Sequence, residues 1–136
     1  MIQRVQTLWM LLAAITAFLT LEFPFYAGTL LADNSYHALL GTENILLLIF
    51  TSALGTGILI NIFLYKNRKL QTRIIIISLV LEFLIIFLYI RQISKFSSGN
   101  FVLWSALHLL IILFLIFGAR GIYSDSKLVK DSNRLR

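Results

Sequence analysis

Four runs of apolar residues, each long enough to cross a lipid bilayer, decide most of what this chain can become. A helix rises about 1.5 Å per residue, so roughly 20 apolar residues span the ~30 Å hydrocarbon core. The runs lie near residues 5–26, 44–65, 74–90 and 101–119. Charged residues make up only 13% of the chain, about half of what a soluble domain uses to cover its surface. The mean hydropathy is +0.88. These features predict an all-α polytopic membrane protein, an antiparallel bundle of four transmembrane helices over residues 1–120 with a basic tail over 121–136. The first run sits behind Arg4 like a secretory signal, but its length and the lack of an A-x-A-like site favour a retained helix.

Orientation follows from the basic residues. Arg4 precedes the first run; Lys66, Arg68, Lys69 and Arg73 sit between the second and third; Arg120, Lys127, Lys130, Arg134 and Arg136 follow the fourth. Only Arg91 and Lys95 lie in the last connection, and 28–42 has no Lys or Arg. Positive charge is retained on the cytoplasmic side, so both termini are expected there. The net charge of +6 is then a record of topology and needs no DNA partner. Trp9, Tyr65 and Tyr123 near one boundary, and Tyr26, Tyr89 and Trp104 near the other, read as interfacial belts. Thr42 is placed to cap the second helix with Glu43 at its positive end. Ser97, Ser98, Gly99 and Asn100 read as a turn leading into the fourth.

The intramembrane polar residues are the candidates for chemistry. Glu82 lies eight residues into the third run, where an ionised carboxylate costs about 3 kcal/mol or more, so it should face protein or water. Gln71, Ser78, Glu82 and Tyr89 recur at helical spacing as one polar stripe. His108 in the fourth run is the natural partner for Glu82: their expected depths differ by about 6–8 Å. The functional reading of the two is a proton or ion relay; the structural reading is a buried polar pair that fixes packing or docks another subunit. Ala13 and Ala17 in the first helix, with Ala53 and Gly57 at small-xxx-small spacing in the second, predict a close helix seam. Asn61 continues that row and is expected to bond across it. The apolar segment 28–42 is expected on the membrane interface, and His37 within it as a surface histidine.

Much is excluded. With no cysteine there is no disulfide and no thiolate metal site. No phosphate loop, GxSxG, HExxH or paired-carboxylate constellation occurs, and two separated histidines make no haem or metal site. The inventory predicts a protein that is not an enzyme and needs no cofactor. In the tail, Ser124 or Asp125 could cap a short helix that sets Leu128 and Leu135 on one face. Lys127, Leu128, Lys130, Arg134, Leu135 and Arg136 are the candidate docking residues; the bland alternative is a disordered basic tail.

The two ends of the chain carry a family resemblance. The opening Met1-Ile2-Gln3-Arg4-Val5-Gln6-Thr7-Leu8-Trp9, running into Leu11-Leu12-Ala13-Ala14, and the ending Asp125-Ser126-Lys127-Leu128-Val129-Lys130-Asp131-Ser132-Asn133-Arg134-Leu135-Arg136 resemble those of one group. It is a Bacteroidetes family of small four-helix membrane proteins, domain of unknown function 4293. The chain departs from the family's pattern at Ser126, where an acidic residue is usual. The resemblance implies a bacterial inner-membrane location and brings no activity. The expected role is a non-catalytic accessory subunit of a larger inner-membrane complex, with a protein-export or insertion machine a fitting host. Its partners would be membrane lipids, other integral membrane subunits and, for the tail, a ribosome or motor subunit. The alternative is a small oligomeric transporter or proton-coupled channel using Glu82 and His108. A lipid- or quinone-binding protein is a third reading.

Overall fold

A computed structural model describes residues 2–135, with side chains from residue 5 onward. It contains four long helices: α1 (Ile2–Glu22), α2 (Ile45–Phe63), α3 (Arg68–Ile93) and α4 (Ala106–Arg134). All four are long and apolar enough to cross a membrane. α1 packs between α2 and α4, and α3 closes the ring against the same two helices. Sequence neighbours are therefore spatial neighbours, as short connections require.

The expectation of an all-α fold is corrected by a small antiparallel sheet. β1 (Tyr26–Leu30) and β2 (Tyr36–Leu39) form a hairpin between α1 and α2, and β3 (Phe96–Phe101) joins α3 to α4. The strand order is β2-β1-β3, with Tyr26 opposite both Leu39 and Phe101, and Gly28 opposite both His37 and Gly99. The stretch from Ser97 to Asn100, which reads as a turn, is thus mostly strand. A Cβ on Gly28 would collide with the Ser98 carbonyl, and one on Gly99 would lie 2.5 Å from the Ala27 carbonyl. Glycine is required here because two backbones cross too closely for any side chain. The hairpin turns through Asn34 at φ 55, and the Asp33 carboxylate accepts from the Ser35 amide and hydroxyl. Those two bonds, the hydroxyl's first, hold the Asp33 carboxyl below its ordinary range. Because both connections at this end carry strands, the sheet covers the end of the bundle opposite the termini. Segment 28–42 is therefore largely a paired hairpin.

Helix boundaries move for local reasons. α3 begins at Arg68, six residues before the apolar run, because the Asn67 side chain accepts from the Leu70 amide and supplies a cap. α2 is capped by Asn44, not Thr42, and Glu43 pairs instead with the half-exposed His37 at 2.8 Å. α4 runs unbroken to Arg134, so no change of structure marks residue 121.

The buried positions of α3 (Gln71, Ile75, Ser78, Glu82, Ile85, Tyr89) and α4 (His108, Ile111, Leu115, Gly118, Ile122, Asp125) advance in alternating steps of three and four. That is the seam of a left-handed bundle. Outside the seam α3 exposes Ile76, Ile77, Val80, Phe83 and Phe87. An apolar surface of this kind suits lipid and would aggregate in water. The small-residue seam needs a correction. Ala13 and Ala17 are fully buried, but Ala53 is exposed and no neighbouring atom lies within 4 Å of a Cβ built on Gly57. The close approach is at Gly55, whose Cβ would lie 2.7 Å from the Phe18 ring. The buried face of α2 runs through Leu54, Gly55 and Ile58, so the Ala53–Gly57 row falls one step round the helix. Tyr89, expected at a membrane boundary, is fully buried.

Candidate functional site

Glu82 and His108 meet in the interior. Glu82 Oε1 lies 2.7 Å from His108 Nδ1, and the two residues are 0% and 3% exposed. α4 starts only two residues before His108, whereas α3 continues eleven beyond Glu82. The C-terminal turns of α3 thus rise past the start of α4 and bring the two groups to one level. Around them the aromatic packing is dense. Phe25 stacks on Tyr89 at 4.5 Å between centroids and meets the His108 ring edge-on at 5.3 Å; Tyr89 meets the same ring at 5.1 Å. Phe25 is held by the sheet, since its amide donates to Leu39 and its carbonyl accepts from Val102. Gly41 completes the cover, because a Cβ there would lie 2.6 Å from the Tyr89 hydroxyl. The sheet therefore shuts the Glu–His pair off from its end of the bundle.

At the opposite end the polar groups are linked across helices. The Asn61 side-chain amide donates to the Gln71 backbone carbonyl at 3.2 Å, and the Gln71 side-chain amide donates back to the Asn61 backbone carbonyl at 3.0 Å. Asn61 is thus buried as expected, but its partner is α3; towards α1 it reaches only the Met10 sulfur, at 3.6 Å. Arg68 pairs with Asp125 at 2.8 Å and also donates to the Asp125 backbone carbonyl at 3.2 Å. Gln6 packs against Gly121, where a Cβ would lie 2.9 Å away. Ser78 is buried on the stripe between the two ends.

Several buried polar atoms have no partner among the described residues: Gln6 Oε1, Thr51 Oγ1, Asn61 Oδ1, Gln71 Oε1, Glu82 Oε2 and the Tyr89 hydroxyl. A buried group left unsatisfied costs about 1–3 kcal/mol. Together these would rival the whole stability of an ordinary domain, about 5–15 kcal/mol. Groups so placed bind something that donates to them, and water is the smallest such donor.

Arg68 and Asp125 are the site residues that sequence reasoning missed. Asp125 reads as a tail cap, yet it lies seven residues beyond Gly118 on the seam of α4. Extending that spacing past the apolar run would have found it. Of the tail candidates, Lys127, Leu128, Lys130 and Arg134 are exposed on α4, Leu135 is exposed just past its end, and Arg136 lies outside the described residues. Tyr123, Lys127, Lys130 and Arg134 share one stripe of the helix, and Leu128 lies beside it. Among the described residues no three His, Asp or Glu side chains gather as metal ligands; the Glu82–His108 pair offers two donors.

A family model described as "Domain of unknown function (DUF4293)" matches residues 2–135. No curated protein and no solved structure matches the chain.

Proposed function

Because the chain belongs to the DUF4293 family, which brings no activity with it, we propose from its own geometry that it is a non-catalytic subunit of a bacterial inner-membrane complex. In this reading both termini lie in the cytoplasm and the end of α4 is the docking element. One observation carries it: α4 continues as a single helix of 29 residues, about 44 Å at 1.5 Å per residue, against a ~30 Å hydrocarbon core. Its last turns must stand outside the membrane. They are not loosely attached, since Arg68 on α3 grips Asp125 by side chain and backbone. An isolated helical end of this length would fray in water; one anchored at its root is already ordered when a partner arrives, which lowers the entropy cost of binding. It offers a basic stripe of Lys127, Lys130 and Arg134, and beside it the exposed apolar side chains of Leu128 and Leu135. Retention of basic charge on one side explains the first and not the second. A groove that is apolar with an acidic rim, on an export or insertion machine or on a ribosome-bound or motor partner, fits both.

The test is co-purification of the tagged full chain from native membranes in mild detergent, beside Leu128→Asp, Leu135→Asp and a Lys127→Glu, Lys130→Glu double variant. These surface changes leave the bundle intact. A partner recovered in fixed ratio with the parent and lost from the leucine variants supports the reading; equal recovery with all of them defeats it.

A further inference from the structure

We propose that Glu82 and His108 form a proton-binding site that exchanges with water reaching it from the charged end of the bundle, along the buried polar stripe of α3. The site makes no demand on the docking end of α4, which lies more than four turns from His108.

The pair must share a proton, because an oxygen and a ring nitrogen 2.7 Å apart are held by one hydrogen bond. With a second proton on the other ring nitrogen the pair is neutral as a whole. Removing one leaves a net negative charge in a low-dielectric interior, on a carboxylate whose Oε2 has no protein donor. A proton that leaves the pair must therefore be exchanged for one that water delivers. In that step an O–H bond of the delivering water chain breaks, an N–H or O–H bond of the pair forms, and nothing is oxidised.

The route is written on α3. Its buried polar residues Gln71, Ser78, Glu82 and Tyr89, with Ile75 and Ile85 interleaved on the same face, run along about 27 Å of helix, nearly the thickness of the hydrocarbon core. From Glu82 towards the charged end, Ser78 lies one turn away and Gln71 two turns beyond it, joined to Asn61 of α2. Three of the unpartnered acceptors, Gln6 Oε1, Asn61 Oδ1 and Gln71 Oε1, belong to this half. Carbonyl oxygens without a protein donor are filled by water. In the other direction Phe25 and Tyr89 stack over the pair and Gly41 lies against the Tyr89 hydroxyl. The proposed water entry is therefore at the charged end alone.

The surroundings leave the proton little else to bind. α2 carries no ionisable side chain, α1 beyond Arg4 has only Glu22 at its exposed end, and α4 adds none beside His108 before Arg120. On α3 the neighbouring ionisable group is Tyr89. The hydroxyls of Thr16 and Thr20 are spent on carbonyls of their own helix.

The chain has only two histidines, so selective nitrogen labelling of histidine gives a readable spectrum of the full protein in lipid nanodiscs. The His108 ring signals are assigned by their loss in His108→Gln. The measured quantity is the exchange rate of the His108 ring proton with water. It is expected to exceed the exchange rate of the Ile85 and Leu88 amides at least a hundredfold. Ser78→Val, which replaces the hydroxyl with apolar bulk, should slow it at least tenfold. Ser78→Ala, which only removes the hydroxyl, serves if the bulkier variant does not fold and should slow it severalfold. The His37 ring, at the sheet end, should be unchanged in both. Exchange as slow as the core amides, or a rate that neither Ser78 variant alters, overturns the proposal.

Discussion

The two ends of this bundle solve the same problem by different means. Each must dispose of polar groups where lipid gives way to water. At the sheet end the chain folds its connections into paired strands, so the backbone satisfies itself and Phe25, Tyr89 and Gly41 close over the Glu82–His108 pair. At the other end the connection between α2 and α3 is short, α4 runs on beyond it as one helix, and side chains bridge between helices through Asn61, Gln71, Arg68 and Asp125. Closure by backbone is rigid and dry. Closure by long side chains leaves unpaired oxygens and an ordered, accessible helix. The proposed water entry and the proposed docking element both fall at the second end, and that coincidence follows from one physical choice.

The comparison can be broken most forcefully at the sealed pair. Removing one partner of a buried ion pair typically costs about 3–5 kcal/mol. Glu82→Leu and His108→Leu should each lower the thermal stability of the detergent-solubilised protein by an amount of this order. The double variant should recover most of the loss, since two leucines leave no lone buried charge. A double variant as damaged as either single one would mean that the pair does not act as a unit.

Next in size comes the sheet. Gly28→Val puts a side chain into the Ser98 carbonyl and should cost about 2–3 kcal/mol. Because the sheet is the lid, hydrogen exchange at the amides around Tyr89 should rise as well. If stability falls and those amides stay protected, the lid is made by the helices alone.

At the charged end the effects should be smaller. Arg68→Gln removes a partly exposed ion pair, worth about 1 kcal/mol. Its diagnostic consequence is local: amides of residues 126–134 should exchange faster while the bundle stays protected. Unchanged protection would show that α4 needs no anchor there. Comparable in size but opposite in sign, Gly57→Ala should raise stability by about 0.4–1 kcal/mol, because alanine favours the helix and nothing described lies beside it, whereas Gly55→Ala must displace the Phe18 ring. Equal effects would return the seam to the Ala53–Gly57 face.

The smallest expected effect lies in the exposed hairpin turn. The Asp33 carboxyl is held below its ordinary range by the Ser35 hydroxyl and amide. A lowered folded value means that the turn's contribution is complete above the ordinary carboxylate range and is lost as pH falls through the lowered one. The Ser35 amide shift should follow that titration, and Asp33→Asn should abolish it without disturbing His108.

The sequence by itself determined the number of helices, their approximate spans and the asymmetric placement of basic residues. Each of these rests on length, apolarity or charge, properties that a stretch of chain carries locally. It also brought Glu82 and His108 forward as partners, because ionisable groups so deep in an apolar run are costly unless something answers them. The tertiary structure alone decided the rest. β3 pairs with a strand some 70 residues earlier in the chain, and no local pattern in Ser-Ser-Gly-Asn announces so distant a partner. Which small residue forms a seam depended on where Phe18 arrived from another helix. Asp125 became a buried anchor because α4 kept its seam beyond the apolar run and Arg68 came to meet it. Long-range pairing and the choice of facing side chains belong to the whole fold, since they are fixed only when every helix has found its neighbours.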